Sequence, residues 1–489
     1  MANEDPSPAT AEVAYLDAAE LQAALTSGQF SSVEVVEALI RRAEDIDGPG
    51  SPTPLRSILA LSPRALDEAR ASDLRRSAGE PRGPLEGIPV LVKDNIETVG
   101  LPGSAGATSL RERPALRDAP LVARLRDAGA VILGASNLSE WANIRSSRST
   151  GGWSAMGGLT GNPWALDRNA GGSSSGSGAA VAAGLAPLTV GTETDGSITC
   201  PASLNGVVGL KPSVGSIPTA GVVPVSASQD SPGPMSRTVT DCLMLYMALA
   251  VRSSGDWERT PPWTALRVGV ASTWSTGHPA TDELFDRRVD ELRRAGVSVV
   301  ELEPPQPDRQ VELDEMTVLL CELKDGLDAY LPTRGSQGPQ SLAEVVAYEL
   351  DNSEIEMVWF GHDLFERALT LGGTSSDAYR DSRDRNLHWA VDKCLEPALG
   401  EVDVLIAPTY GPAWKSDLVL GGHPGAAAPT TTAPAIAGWP IATVPMGLAQ
   451  GLPVGLGLIG RPGSEMVLLA LGAALERPLR PSWLPPQQG

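Results

Sequence analysis

The sequence predicts an α/β fold built as a single large domain. Apolar, strand-like runs alternate along the chain with amphipathic helical segments, and this alternation is typical of a sheet layered against helices. No fixed-period repeat interrupts the alternation, and no shift in composition marks a boundary between two domains. We therefore expect one domain over residues 13–480, preceded by a flexible arm at 1–12 and followed by a tail at 481–489.

The first half of the chain supplies the clearest helices and strands. Ser31 and Glu34 form a capping box at the start of one helix. Gly129 ends another helix, and an apolar strand follows it directly. An alanine-rich helix, which can pack closely on a sheet, precedes a further strand. The predicted helices are 17–26, 33–46, 63–76, 121–128 and 179–183, and the predicted strands are 88–92, 131–133 and 185–190.

The second half of the chain is less regular. Glycines and prolines dominate 206–234, which predicts a long ordered loop region rather than a linker. A connection or insertion is expected over 253–262, and 313–389 has mostly helical patterning. Strands are predicted at 266–270, 297–302, 402–407 and 441–444, with a helix at 282–294.

Composition and charge narrow the class of protein. The net charge of −21 opposes binding to nucleic acid or to an anionic membrane, because both carry negative charge themselves. The N-terminal residues have no basic segment followed by an apolar one, and no run of about 18 apolar residues occurs anywhere. We expect a cytoplasmic, soluble protein with free, buried thiols at its four widely spaced cysteines: Cys200, Cys242, Cys321 and Cys394.

The stretch 170–201 concentrates the chemistry, with the sequence AGGSSSGSGAAVAAGLAPLTVGTETDGSITCP. It contains two serine-bearing turns separated by a helix and a strand. Upstream, Lys93 ends the apolar strand predicted at 88–92. Lysine and serine can together hydrolyse an amide without a histidine, so this combination favours an amide hydrolase.

Three familiar glycine motifs compete for the first serine turn. Residues 172–176 satisfy G-x-S-x-G, the nucleophile elbow of α/β-hydrolases. A phosphate-binding P-loop fails because Ser177 stands where lysine is needed, and a dinucleotide fingerprint fails because Val181 replaces its third glycine. The elbow needs a histidine, and four are available: His278, His362, His388 and His423.

The chain resembles the amidase signature family. The motifs that carry the resemblance span most of the sequence, and the separation between Ser173 and Ser197 equals the family's spacing between its two active serines. This resemblance implies the amidase signature fold, a mixed β-sheet covered by helices on both faces. The matching segments are VKDN at 92–95, NLSEW at 137–141, GGSS at 171–174, TETDGS at 192–197, GVVGLKP at 206–212, GPM at 233–235 and GLPVG at 451–455.

The resemblance implies a Ser-Ser-Lys triad. Ser197 would attack the amide carbonyl, Ser173 would relay its proton, and Lys93 would be the final base. In this family the peptide bond before the relay serine is cis, and Gly172 allows the backbone to take that form. Backbone N–H groups of the second serine turn would form the oxyanion hole. The oxyanion residues would be Thr194, Asp195, Gly196 and Ser197, supported by Gly172, Ser174 and Thr192, with no metal and no cofactor.

A lysine serves as a base only when it is neutral. Burial beside hydrogen-bonding groups lowers the pKa of lysine and achieves this state. Asp94 follows Lys93 directly, but successive residues of a strand point to opposite faces. We therefore expect Asp94 to face away from the amine.

The sequence departs from the family at two positions beside the nucleophile. Asp195 replaces a glycine, and Thr199 replaces an arginine. With Trp153 upstream and ELK at 322–324, the pattern is similar to bacterial peptide amidases, which remove the C-terminal amide of peptides. Asp195 either contacts an amine or amide N–H of the substrate or braces the turn.

Other functions remain open at this point. One alternative is a broader acyl- or aryl-amide amidase, and another is an amide-forming biosynthetic enzyme. A further alternative, one chain of an amidotransferase that works on charged transfer RNA, is disfavoured by the net charge of −21. The expected partner is a small-molecule or peptide amide, with no nucleic acid and no membrane. Pocket-lining residues are expected from 310–415.

Overall fold

The computed structural model describes residues 12–251 and 260–477. The tail predicted at 481–489 lies outside these residues, as do residues 1–11 of the predicted arm and most of the connection at 253–262. A mixed sheet of 11 strands forms the centre, in the order β1-β3-β2-β6-β8-β7-β12-β13-β11-β9-β10. Helices flank this sheet, which confirms the predicted α/β fold in one large domain.

The strands of the sheet are short, and parallel and antiparallel pairs are mixed. Strands β3, β2 and β6 run parallel, whereas β6, β8, β7, β12 and β13 pair antiparallel. Two further strands, β4 and β5, form a separate hairpin. The strands are β1 (Ile58–Leu61), β2 (Pro89–Lys93), β3 (Val131–Ser136), β4 (Trp153–Ser154), β5 (Gly158–Leu159), β6 (Leu188–Glu193), β7 (Val208–Lys211), β8 (Ser231–Ser236), β9 (Arg267–Ala271), β10 (Ser298–Leu302), β11 (Val404–Pro408), β12 (Ile441–Ala449) and β13 (Leu452–Ile459).

The helices begin and end close to the predicted positions. The capping box at Ser31 and Glu34 is present, with both reciprocal hydrogen bonds formed. A π-helical stretch at His388–Leu395 follows α13. The α-helices are α1 (Ala18–Ser27), α2 (Ser32–Ile46), α3 (Ala65–Ser77), α4 (Pro120–Asp127), α5 (Ser175–Ala182), α6 (Thr199–Asn205), α7 (Val239–Leu249), α8 (Pro279–Arg294), α9 (Arg309–Tyr330), α10 (Leu342–Asp351), α11 (Ser353–Glu356), α12 (Asp363–Thr370), α13 (Asp377–Leu387), α14 (Glu396–Glu401), α15 (Thr432–Ala437) and α16 (Glu465–Leu475).

The predicted loop at 206–234 is wrong at both ends. Strand β7 occupies 208–211, and strand β8 begins at Ser231 and runs through Pro-Gly-Pro. Glycine is needed here because a Cβ at Gly233 would lie 2.0 Å from the carbonyl oxygen of Leu210. Tertiary packing therefore overrides the low strand propensity of glycine and proline.

Apolar packing fixes the strand that leads into the candidate site. The largest cluster joins Val90 and Val92 of β2 to Leu39 of α2 and Leu125 of α4, and none of these is more than 1% exposed. Each fully buried aliphatic side chain contributes about 1.5–3 kcal/mol of hydrophobic free energy. The C-terminal end of β2 is thus held rigidly. Within 12–251 and 260–477, no helix combines the length and apolar character needed to cross a membrane.

Candidate active site

Lys93 lies at the end of β2 and is completely buried. Its Nζ donates hydrogen bonds to the hydroxyl of Ser173 at 2.7 Å and to the hydroxyl of Thr192 at 2.9 Å. The backbone carbonyl of Thr192 accepts a third hydrogen bond at 3.2 Å. All three neighbours are uncharged groups, so Lys93 forms no direct ion pair with the described residues. The amine is therefore placed to exchange a proton with Ser173.

Burial lowers the pKa of Lys93 from its usual 10.5 to about 7. The nearby negative charges of Asp230 and Glu193 oppose this shift, but they do not cancel it. Asp94 turns away, as the alternation of the strand predicted, and its carboxylate accepts hydrogen bonds from the N–H groups of Gly103 and Ser104 at 2.9 Å each. A large part of the Lys93 side chains is therefore neutral near pH 7.

Ser173 is fully buried and follows a cis peptide bond from Gly172, as the resemblance implies. Its carbonyl accepts a hydrogen bond from the N–H of Ser139 at 3.0 Å. Gly172 is required by close packing, because a Cβ there would lie 2.3 Å from the Ser139 hydroxyl. These contacts fix the direction of the Ser173 hydroxyl toward Lys93.

Ser197 lies in the turn between β6 and α6 and is 8% exposed. Its carbonyl accepts a hydrogen bond from the N–H of Ser174 at 3.0 Å, which joins the two serine turns through their backbones. The Ser174 hydroxyl in turn donates to the Thr192 carbonyl at 3.0 Å. The Ser197 hydroxyl itself has no hydrogen bond to any residue that the structure describes. The link from Lys93 to Ser173 is therefore formed, whereas the link from Ser173 to Ser197 is not.

The turn before Ser197 presents unused backbone donors. Gly196 has φ 78°, a left-handed conformation that favours glycine. Across the described ranges, the N–H groups of Asp195, Gly196 and Ser197 donate to no other protein group. The Thr194 hydroxyl donates to Asp230 at 2.6 Å and fixes the start of the turn. Free N–H groups beside a nucleophile can stabilise the oxyanion of an acyl-transfer intermediate.

Comparison with known proteins identifies the family. The family model for amidases matches residues 34–469. The chain belongs to the amidase signature family. A protein named as a probable amidase from Arabidopsis thaliana is 36% identical over 81% of this chain and 79% of its own. One of the subunits of the glutamyl-tRNA(Gln) amidotransferase from Symbiobacterium thermophilum is 33% identical over 94% of this chain and 96% of its own.

Among solved structures, the chain is similar to peptide amidases. The peptide amidase PAM, in complex with the competitive inhibitor chymostatin, matches with a TM-score of 0.90 and 40% identity. This match covers 96% of our chain and all of that one (100%). The native peptide amidase from Stenotrophomonas maltophilia matches with a TM-score of 0.88 and 40% identity, over 95% and 98% of the two chains. Our amidase is therefore a hydrolase of linear amide C–N bonds.

Acidic side chains surround the turn of this amidase. Asp195 is partly exposed, but its Oδ1 atom is buried and has no hydrogen-bond partner among the described residues. Burial raises the pKa of Asp195 to about 6. Glu315 on α9 lies near enough for the charge of Asp195 to add to burial in raising its pKa to about 8. Two titratable carboxyl groups, Asp195 and Glu315, therefore lie close to each other beside the nucleophile turn.

Residues from the expected segment 310–415 do reach the site. Glu315 accepts a hydrogen bond from Gln229 at 3.0 Å. The Tyr410 hydroxyl lies so close to the turn that a Cβ at Gly196 would be 2.7 Å from it. Because Glu315 and Tyr410 lie far from the serine turns in sequence, no local spacing indicated these particular residues.

Sequence reasoning missed Glu193, the last residue of β6. Its side chain is 1% exposed and crosses the turn to the first residues of α6. A strand-end glutamate carries no signal of its own in a single sequence.

The four histidines do not approach the serine turns. His278 accepts a hydrogen bond at the N-terminus of α8, and His362 contacts Glu349 at 2.8 Å. His388 pairs with Asp392 on the surface at 3.0 Å, and His423 is exposed. The histidine that a nucleophile elbow at 172–176 needs is therefore absent from the vicinity of Ser173 and Ser197 in the part of the chain described.

One group of buried acids has the spacing of a metal site. Ligand oxygens of Glu140, Glu349 and Glu356 lie within 4.8 Å of one another. The buried Arg145 guanidinium contacts Glu140 directly and lies 3.7 Å from Glu356. Arg145 already supplies a positive charge to this cluster, and burial raises the pKa of Glu140 and Glu356. We interpret the group as an internal ion-pair cluster.

Proposed function

We propose that this amidase removes the C-terminal amide of peptides, with Ser197 as nucleophile, Ser173 as proton relay and Lys93 as base. The observation that carries the proposal is the 2.7 Å hydrogen bond between the Lys93 amine and the Ser173 hydroxyl, within a completely buried environment. Similarity to peptide amidase structures at 40% identity supports the substrate class.

The first half-reaction forms an acyl-enzyme. Ser197 Oγ attacks the carbonyl carbon as its proton passes to Ser173, while the Ser173 proton passes to neutral Lys93. Backbone N–H groups of Asp195, Gly196 and Ser197 stabilise the oxyanion, and one such donor typically contributes about 2.7–4 kcal/mol. Collapse of the intermediate breaks the C–N bond. The proton returns through Ser173 to the nitrogen, and ammonia leaves.

The second half-reaction is hydrolysis of the acyl-enzyme, in which water is the nucleophile and Ser197 is the leaving group. A water molecule gives a proton to Ser173, and Ser173 gives its own to Lys93, as the water oxygen attacks the ester carbonyl. The second tetrahedral intermediate uses the same N–H groups. Its collapse breaks the ester bond, returns the proton to Ser197 and releases a free carboxylic acid. The site ends in its starting protonation state.

The carboxylate of Asp195 supports recognition of a primary amide. An amide nitrogen has N–H donors, and Asp195 is partly exposed in the turn that carries Ser197, where a carboxylate can accept such a donor. The carboxylates of Asp195 and Asp230, with pKa values of about 6, are mostly charged at neutral pH and also repel a terminal carboxylate. A peptide amide therefore suits the site better than the corresponding peptide acid, which is the product.

Ammonia release from a dipeptide amide by the purified chain tests the proposal. We expect one ammonia per peptide acid formed, detected by a coupled enzymatic assay, with mass spectrometry showing amide converted to acid. The Ser197→Ala variant should be inactive. Aryl amides and simple aliphatic amides should be poor substrates, and a preference for them would favour the broader amidase.

The amidotransferase alternative has one supporting observation, the 33% identity to one chain of a glutamyl-tRNA(Gln) amidotransferase. A chain of that kind would work together with partner chains. If our chain alone leaves every peptide amide intact and gains activity only with added partner chains and transfer RNA, the peptide amidase proposal is wrong.

A further inference from the structure

The carboxylate of Glu193 spans the turn that carries Ser197, and it takes no part in the proposed proton transfer. Glu193 Oε2 accepts hydrogen bonds from the N–H groups of Ile198 at 2.7 Å and Thr199 at 2.8 Å. The Thr199 hydroxyl donates a third hydrogen bond to the same oxygen at 3.1 Å. The side chain therefore connects the end of β6 to the start of α6 and encloses residues 194–197 between its two ends.

We propose that Glu193 is a positioning residue, which holds Ser197 and the N–H groups of its turn in the geometry needed for attack. The inference rests on the proposed role of Ser197 as nucleophile. Glu193 does not touch the reacting atoms itself. It acts through Ile198 and Thr199, the two residues that follow the nucleophile.

The Thr194 hydroxyl bond to Asp230 holds the start of the turn, and Glu193 adds the link from β6 to the residues that follow Ser197. Gly196 is left-handed at φ 78°, and its carbonyl accepts a hydrogen bond from the Cys200 N–H at 2.7 Å. The N–H groups of residues 195–197 have no protein partner in the described structure, so they do not restrain the backbone of the turn. A displacement of about 1 Å in a reacting group can lower a rate a hundredfold.

The charge of Glu193 has a second, separable effect. It opposes the lowering of the pKa of Lys93 by burial, as does the charge of Asp230. Without the Glu193 charge, Lys93 remains neutral to lower pH. Other titratable groups share the electrostatic environment of Glu193, and they come from several elements: Lys211 on β7, Asp195 in the turn, Asp230 before β8, Cys200 on α6 and Tyr410 after β11.

Two variants separate position from charge. Glu193→Gln keeps the size of the side chain but removes the charge, and its amide must turn an oxygen toward two N–H groups. Thr199→Val removes one of the three hydrogen bonds to Oε2 and retains the charge. Glu283→Gln makes the same chemical change on the exposed surface of α8, where the carboxylate pairs with Arg287. It is the matched control.

We expect Glu193→Gln to lower kcat on a dipeptide amide by about ten- to a hundredfold with KM changed less than about twofold, because the restraint matters most in the transition state. The acid limb of kcat/KM should move to lower pH by about half a unit or more. Thr199→Val should lower kcat by a smaller factor, about two- to tenfold, and leave the acid limb in place. Glu283→Gln should behave as the wild type.

Distinct results would overturn the inference. Wild-type kcat in both Glu193→Gln and Thr199→Val, with Ser197→Ala inactive, would show that the turn needs no carboxylate, while the proposed function would stand. A fall in kcat for Glu193→Gln with an unmoved acid limb and an equal rise in KM would indicate a general loss of structure instead. Activity retained in Ser197→Ala would contradict the proposed function itself. If Glu193→Gln does not fold, Thr199→Val decides the question alone.

Discussion

The rate of the amidase should fall as the pH drops through the pKa of Lys93. Only the neutral amine can accept a proton from Ser173, and burial places its pKa at about 7. At pH 7 about half of the Lys93 side chains are then neutral, whereas an ordinary lysine would be neutral in about one molecule in 3000. This difference is what makes Lys93 usable as a base.

The expected size of the pH effect on the rate follows from the pKa of Lys93. Below pH 7, log kcat/KM should fall with a slope of about one, so that activity at pH 5 is about 1% of the plateau. Asp230, with a pKa of about 6, also gains a proton in this range, and the loss of its charge lowers the pKa of Lys93, so the lower part of the curve should be slightly shallower. The assay is ammonia release from a dipeptide amide between about pH 4.5 and pH 9.

The Asp230→Asn variant tests whether the titration of Lys93 causes this pH dependence. The charge of Asp230 raises the pKa of Lys93, so Asp230→Asn should move the acid limb to lower pH. A rate that stays flat from pH 8 to pH 5, or a limb that moves to higher pH in Asp230→Asn, would refute the role of Lys93 as base.

Three further outcomes are expected. His278→Ala and His423→Ala should each retain activity within about twofold, and an inactive but folded variant would restore the histidine-dependent elbow. Arg145→Met should lower the free energy of unfolding by about 3–5 kcal/mol in urea denaturation, because it leaves buried carboxylates without their cation, and an unchanged value would show that this cluster is protonated throughout. Glu315→Gln should raise the melting temperature above pH 5 and leave it unchanged at pH 4. Because the pKa of Glu315 is raised to about 8, its ionisation lowers the stability of the folded protein, by on the order of a few kcal/mol, as the pH rises from about 4.5 to 8. An equal effect of the variant at pH 4 would contradict this.

Local patterns predicted the strand that ends at Lys93 and the two serine turns, whereas the roles of Lys93, Ser173 and Ser197 came from the family resemblance. The apolar run that ends at Lys93, the glycines around Ser173 and the strand before Ser197 each specify their own conformation. Once paired in the sheet, β2 and β6 run parallel side by side, which places Lys93 beside Thr192.

The rest depends on contacts that no local pattern encodes. Strand β8 contains Pro-Gly-Pro, and it forms because Gly233 permits the close approach of the Leu210 carbonyl. The sequence around Glu193 predicts only the end of a strand, and its role depends on the contacts that it makes with the first residues of α6 in the folded chain. Glu315 comes from a helix whose sequence gives no hint of the serine turns. Long-range packing decides each of these positions.

Direct titration of the lysine side chains tests the central claim, that Lys93 is a neutral base near pH 7. The chain has only five lysines, so NMR of protein with isotope-labelled lysine resolves each signal, with Lys93→Met assigning the one of interest: Lys93, Lys211, Lys324, Lys393 and Lys415. We predict that the Lys93 signal titrates near pH 7, and that of Lys211, also lowered by burial, near pH 8. A Lys93 signal that remains fully protonated up to pH 10 would contradict the account.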